Sequence, residues 1–267
     1  MSHGSGGGGK SLAGRRAVVT GGTRGIGRAV AERLGGAGAS VLIAARTEPG
    51  VREAVEALRS QGLEAHGSPC DATDPASVEA LAHEAERALG GVDILVNNAG
   101  RSSSAPLHRL EPEEWRDLWE TNATSTFLCT RAFVPGMVER GWGRVVNVAS
   151  VSGLRGGRYI SAYAAAKHAV VGFTRSIALE VARSGVTVNA VCPGYVDTPM
   201  TDRSVERIVE MTGRSPEQAR EAIESASPQH RMVDPEEVAH AVLSLCPEDA
   251  RGVNGTTLVI DGGGLAG

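Results

Sequence analysis

Tyr163 and Lys167 lie four residues apart in the stretch SAYAAAKHAVVGFT, residues 161–174. Small and aliphatic residues dominate there and no proline occurs from Ser161 to Val191, which predicts a helix whose i and i+4 side chains share one face. An ammonium that meets a phenol favours the phenolate and lowers a pKa that starts near about 10. The pair therefore predicts a tyrosine tuned to exchange a proton near neutral pH. Lysine is also rare: of 27 basic residues only Lys10 and Lys167 are lysines. At 167 the chain uses a compact ammonium on a flexible stem, where elsewhere it uses the planar guanidinium. Tyr-x-x-x-Lys by itself occurs often by chance on solvated helices, and Tyr159 shows how readily tyrosines fall nearby. Its weight comes from the groups that accompany it.

Ser150 closes an apolar run 13 residues before Tyr163. The glycine-rich stretch 151–157 follows it in place of an immediate helix, which weighs against a serine that only caps. The run at 94–97 leads into Asn97-Asn98-Ala99-Gly100, and Asn122 sits inside a helical pattern over 113–137 that only Pro135 interrupts. Asparagine is mildly unfavourable within a helix. Side-chain amides gathered at strand ends predict a hydrogen-bonded framework beneath a site.

The first apolar run enters TGGTRGIG, which sets Gly21, Thr23, Arg24, Gly25, Ile26 and Gly27 at the mouth of an amphipathic helix. Glycine lets backbone approach a pyrophosphate closely, and a helix N-terminus offers unpaired N–H groups and a favourable dipole. The second run ends at Ala45, where a fold that selects NAD carries an acidic residue for the ribose hydroxyls. This chain has Arg46 there, with Arg24 in the glycine turn, and planar guanidiniums suit a 2′-phosphate. NADPH is the expected cofactor. Glu48, two residues further on, keeps NADH open, as does a purely solvated role for the arginines. Asp71 after the third run fits either an acceptor for an adenine amine or a cap for the helix that follows Thr73.

Seven apolar runs, at 17–20, 41–45, 65–70, 94–97, 144–149, 187–192 and 257–260, alternate with amphipathic segments. That pattern predicts an α/β fold, one parallel sheet of about seven strands with helices on both faces. No linker divides the 267 residues, so one domain is expected over 11–267, after a glycine-rich, flexible tail over 1–10. Two helical patterns, 202–212 and 216–225, are joined by Gly213-Arg214-Ser215. A net charge of −4 gives no electrostatic reason to expect nucleic acid or an acidic membrane surface as partner. The four cysteines and seven histidines form no Cys-x-x-Cys or His-Glu-x-x-His spacing, so no metal is expected. With no spanning run and no signal-peptide pattern, a cytoplasmic location is the default.

Taken together, TGGTRGIG, NNAG, Asn122, Ser150, Tyr163-x-x-x-Lys167 and Pro193-Gly194 resemble the short-chain dehydrogenase/reductase family over essentially everything after the tail. The resemblance implies a Rossmann-type doubly wound sheet. It implies that Ser150 orients a substrate carbonyl, Tyr163 exchanges the proton, Lys167 tunes Tyr163 and holds the nicotinamide ribose, and Asn122 positions a water in the proton relay. It places Gly21, Arg24 and Ile26 along the phosphates, Asp71 and Ala72 at the adenine, and Asn98, Ala99 and Gly100 beside the ribose. Pro193, Gly194, Val196 and Thr198 would border the nicotinamide, and 198–227 would form a helical lid. A homotetramer is implied as well.

Within the family, NNAGR, ASVSG, AAAKHAVVGFTRSIALE and VNAVCPGYVDTPM look nearest to 3-oxoacyl thioester reductases and aromatic polyketide ketoreductases. The run Ser102-Ser103-Ser104-Ala105-Pro106 departs from the Pro-Gly-Gly those ketoreductases carry. The expected activity is NADPH-dependent reduction of a ketone to a secondary alcohol on a small-molecule carbonyl substrate, a 3-oxoacyl thioester or polyketide-like compound, with a carrier protein or CoA as the candidate carriers of its acyl group. The alternatives are an NAD-dependent dehydrogenase of a 3-hydroxyacyl thioester or other secondary alcohol, and an inactive cofactor-binding regulator.

Overall fold

The structure, a computed structural model, describes residues 10–266. Apart from Lys10, the tail expected over 1–10 lies outside the described residues. Each expected apolar run is a strand: β1 (Arg16–Thr20), β2 (Ser40–Ala45), β3 (Ala65–Pro69), β4 (Ile94–Asn97), β5 (Gly143–Val148), β6 (Val186–Pro193) and β7 (Thr257–Ile260). All pair in parallel in the order β3-β2-β1-β4-β5-β6-β7. β1, β2, β4, β5 and β6 are buried almost throughout because helices cover both faces of the sheet, whereas β3, at the edge, is only partly buried.

On one face pack α1 (Gly25–Gly36), α2 (Glu48–Ser60) and α9 (Pro235–Ser244), whose Val30, Leu34, Val51, Leu58, Val238 and Val242 join Val19, Val41 and Ile43 in one core cluster. On the other lie α3 (Pro75–Leu89), α5 (Ser125–Glu139) and α6 (Ser161–Glu180), around Leu42, Leu81, Leu95, Phe133 and Met137. The two clusters share the sheet between them, so helix burial on either side fixes where each strand ends. Asp74 caps α3, accepting from the Ala76 and Ser77 N–H groups, a contact worth about 1 kcal/mol.

Two local expectations change. Pro135 does not interrupt its helix: α5 runs through it, because Pro135 is on the exposed face, where water can satisfy the carbonyl that proline leaves unpaired. The irregularity falls instead at Asn122, where α4 (Pro112–Trp119) passes into α5 through a π-turn, Glu120–Thr124.

The two ends of the sheet differ in chemistry. At the amino ends of the strands, Arg16 grips Asp93 at 2.7 and 2.9 Å. The Trp142 ring there carries the guanidiniums of Arg15 at 3.5 Å and Arg144 at 4.3 Å, and its indole N–H donates to Glu248 at 2.7 Å. The carboxyl ends gather glycines, amides and hydroxyls. Between β6 and α9, α7 (Pro199–Thr212) and α8 (Pro216–Glu224) form a helical pair that packs mainly on itself. Each buries little beyond Thr201, Ala219 and Ile223.

Candidate active site

The strand order reverses between β1 and β4, and open α/β sheets bind ligands in the crevice outside the carboxyl ends at such a point. Amides tie this crevice together. Asn98 Nδ2 donates to the carbonyls of Thr20 at 2.9 Å and Gly21 at 3.2 Å, while the Thr20 hydroxyl accepts from the Asn98 and Ala99 N–H groups, each at 3.0 Å. The end of β4 thereby fixes the glycine turn after β1. One layer deeper, Asn97 Nδ2 donates to Asn147 Oδ1 at 2.8 Å and Thr130 Oγ1 at 3.0 Å, and Asn147 Nδ2 to Thr174 Oγ1 at 2.8 Å. The expected framework of amides is present. Thr20 and Thr174 carry no signal in the sequence, where each looks like an ordinary residue of a strand or helix.

Gly25 opens α1 with φ +53°, in the left-handed region that glycine tolerates. The N-cap residue Arg24 is exposed, and its side chain makes no capping bond, so the first N–H groups of α1 are left for an anion. A Cβ added at Gly25 would stand 3.2 Å from the Thr198 methyl, so the loop after β6 closes over the same turn. Ile26 packs its side chain against the core. Thr23 lies in the turn itself, ahead of α1.

Strand β2 ends at Ala45 and leaves Arg46 exposed at the edge, whereas Glu48 is in the first turn of α2. Asp71 does not cap α3, since Asp74 does. Its Oδ1 accepts from the Thr73 N–H at 3.0 Å and the Thr73 hydroxyl at 2.7 Å, and these bonds, helped by Arg46, hold its carboxyl below the usual range. Arg46 and Asp71 thus stand near one another, past the ends of neighbouring strands. Ala72 packs against the core beside them.

The catalytic candidates come together on the other side of the switch point. Ser150 follows β5, buried, and its hydroxyl is near enough to that of Tyr163 to oppose the rise of the phenol's pKa. It also caps after all: its Oγ accepts from the Ser152 N–H at 3.1 Å over a short turn of 3-10 helix, Val151–Gly153. A hydroxyl can accept there and still donate into the cleft, so the two roles do not compete. Lys167 is 5% exposed, and its Nζ donates to the Val148 carbonyl at 2.8 Å and stands 5.8 Å from the centre of the Tyr163 ring.

The side chains share a face as the spacing required, but the expected acidification of the phenol does not follow. Burial pushes Tyr163 up to about 12, against the opposing pull of the Ser150 hydrogen bond. Burial also pushes Lys167 down to about 8. Burial penalises the phenolate and the ammonium alike, and it is the largest cause of both shifts.

Asn122 is 1% exposed. The π-turn aims its amide between α4 and the β4 loop, where Nδ2 donates to the carbonyls of Arg101 at 2.9 Å and Leu118 at 2.8 Å. Its Oδ1 has no partner. A Cβ on Gly100 would lie 2.7 Å from that oxygen and 3.6 Å from Lys167 Nζ. Gly100 is therefore the narrow point where the strand end, the amide and the ammonium converge. At the far wall, Gly194 donates to the Ile260 carbonyl at 2.9 Å, continuing the pairing of β6, which ends at Pro193. Val196 bridges to Val233 and turns its side chain into the core. Tyr195, half-exposed and close enough to Tyr163 to help raise its pKa, is a further group the sequence did not flag.

These residues fit a dinucleotide: an uncapped helix start, a turn that glycine alone closes, an exposed guanidinium at the end of β2, and an orphaned amide oxygen beside a buried ammonium. Fold and crevice define a doubly wound α/β protein of the nucleotide-binding type. The family model for short chain dehydrogenase matches residues 15–208. The 3-oxoacyl-acyl-carrier-protein reductase FabG of Vibrio cholerae is 41% identical, over 95% of this chain and 98% of that protein. The D-beta-hydroxybutyrate dehydrogenase of Cupriavidus necator is 40% identical, over 96% and 99%. A crystal structure of a variant of the actinorhodin polyketide ketoreductase with NADPH superposes with a TM-score of 0.91 at 43% identity, covering 93% of this chain and 96% of that one. The chain belongs to the short-chain dehydrogenase family, and with it to the oxidoreductases that act on CH–OH and C=O groups.

Proposed function

We propose that this protein reduces a ketone to a secondary alcohol with NADPH, on a 3-oxoacyl thioester or polyketide-like substrate. The observation that carries this is the approach of the Ser150 and Tyr163 hydroxyls to one another at the carboxyl edge of the sheet, above Lys167. NADPH, when bound, supplies the hydride. Two hydroxyls directed at one carbonyl oxygen stabilise the negative charge that grows there, most strongly when it is greatest. Ser150 orients that oxygen and Tyr163 delivers the proton. A phenol raised to about 12 is protonated at neutral pH, the form from which it can give its proton to the developing alkoxide. Lys167 holds the nicotinamide ribose, and the free Oδ1 of Asn122 seats a water that returns a proton towards Tyr163.

For the cofactor, the first N–H groups of α1 with Gly21, Thr23, Arg24, Gly25, Ile26 and Gly27 take the pyrophosphate. Arg46 takes the 2′-phosphate, and Asp71 and Ala72 take the adenine. Asn98, Ala99 and Gly100 flank the ribose, while Pro193, Gly194, Val196 and Thr198 border the nicotinamide. The pair α7 and α8, within 198–227, serves as a lid on the one domain 11–267. The FabG relative supports an acyl group delivered on a carrier, with CoA as the other candidate. Trp115, Trp119, Phe127 and Leu179 are exposed on α4, α5 and α6, which supports a homotetramer assembled through those helices. The four cysteines are free and buried, as suits the reducing cytoplasm. No helix among the described residues is long and apolar enough to cross a membrane.

The hydroxybutyrate dehydrogenase relative supports a second reading, the same residues run in the oxidising direction with NAD. A screen of acyl thioesters, cyclic ketones and bicyclic diketones, read by NADPH and NADH absorbance, separates the two. Tyr163→Phe removes the proton donor and should lower turnover about 10²- to 10⁴-fold, with NADPH affinity nearly intact. Near-normal turnover in that variant would remove the mechanism.

A further inference from the structure

We infer that Arg220, on α8, is a positioning residue for the cofactor site, acting through Asp197 to hold the loop 194–198 and its end, Thr198, against the glycine turn. The inference rests on the NADPH reading above and adds to it a residue outside the cleft. Arg220 Nη2 lies 2.8 Å from Asp197 Oδ2, and its Nε lies 3.2 Å from Glu224 Oε1, which aims the guanidinium. Among the described residues, the other side-chain hydrogen bonds of α8 stay within the helix and its caps. Arg220 is therefore the polar tie between α8 and the body of the protein.

Asp197 occupies a point of leverage. Its N–H donates to the Val233 carbonyl at 2.9 Å, and the Val233 N–H donates to the Tyr195 carbonyl at 2.9 Å, so one side of the loop is stitched by the Val196–Val233 bridge. The Thr201 hydroxyl donates to the Val196 carbonyl at 2.6 Å and anchors α7 to the same loop. The Asp197 side chain is left as the handle on the outer side. The next residue, Thr198, is the one that meets Gly25 across the crevice. A helix of the proposed lid is thereby joined, by one ion pair and one residue of backbone, to the turn proposed to receive the phosphates. Coupling of this kind is reciprocal, so a bound nucleotide also steadies α8.

The pair is partly exposed, with side chains 40% and 47% accessible, and exposed pairs contribute modestly, so its loss is worth a factor of about two to five. The test uses the full chain as wild type, Arg220→Ala, Asp197→Asn, the double variant and Arg220→Lys. NADPH affinity is read by fluorescence titration, and amide exchange of 194–198 and 216–224 is read without nucleotide. Each single variant should weaken NADPH binding about two- to fivefold, and the double variant no further, because both remove one contact. Lysine, which keeps the charge but not the fork, should restore part of the affinity. Exchange should quicken in both segments while the thermal midpoint hardly moves. Losses that multiply in the double variant, or faster exchange confined to 216–224, would overturn the inference. Wild-type protein that fails to bind NADPH would overturn the proposed function and the cofactor half of this inference, while exchange in the nucleotide-free chain still judges the tie itself.

Discussion

Replacing Gly100 by alanine tests the narrowest point of the site. The added Cβ would stand 2.7 Å from Asn122 Oδ1, about 0.7 Å short of the 3.4 Å at which ordinary contact begins. Backbone strain is not the issue, because Gly100 is not among the residues with positive φ. The outcome depends on whether the amide can yield. Its Nδ2 is held by the Arg101 and Leu118 carbonyls, and releasing both bonds would cost about 2 kcal/mol at roughly 1 kcal/mol each. The oxygen must therefore shift by a large part of an ångström or the end of β4 must withdraw. A misplacement of about 1 Å costs on the order of 10²-fold in rate. Gly100→Ala should lower kcat about 10- to 100-fold in an NADPH absorbance assay, and lower the thermal midpoint by several degrees, at about 2–4 °C per kcal/mol. Asn122→Ala removes the atom that clashes, so the double variant should be no slower than Asn122→Ala alone. Near-wild-type kcat in Gly100→Ala, or a double variant whose loss is the product of the singles, would refute the reasoning.

Arg46→Ala should weaken NADPH about tenfold, the scale of a charge-assisted phosphate contact partly open to water, and leave NADH unchanged; equal NADPH affinity in variant and wild type would refute the assignment. For pH, Lys167 sits near 8 and Tyr163 near 12, so raising the pH through about 8 discharges the ammonium while the phenol stays protonated. The pH profile of kcat/KM for NADPH should then fall on one limb above about pH 8, and a flat profile to pH 10 would count against a charged Lys167 as the working form. Asp74→Ala should cost about 1 kcal/mol of stability by uncapping α3 and leave kcat alone; altered kcat with an unchanged melting curve would contradict its purely structural role.

Much of this was legible in the sequence because it depends on local pattern. The strands fall on the expected runs, the central five buried almost throughout between the helix layers, and glycine, asparagine and hydroxyl residues at their ends mark the edge that does chemistry. The Tyr163 and Lys167 face followed from helical spacing alone. What the sequence did not show depends on three-dimensional neighbours. Pro135 was tolerated because its face of α5 meets water, a matter of orientation that residue type does not record. The break at Asn122 was signalled only by an asparagine out of place in a helix. The shifts of Tyr163 and Lys167 go opposite to the simple pair argument because burial, a property of the whole fold, dominates both. Thr20 and Thr174 gain their roles only when separate strands and helices bring their hydroxyls within 3.0 Å of partners.

The amino ends of the strands, with Arg16 on Asp93 and Trp142 between its arginines and Glu248, form a rigid base that points away from the crevice. A surface, tether or fused module attached on that side would leave entry of both reactants unobstructed. Immobilised protein oriented by its base should therefore keep its turnover, whereas attachment at the opposite rim should stop it.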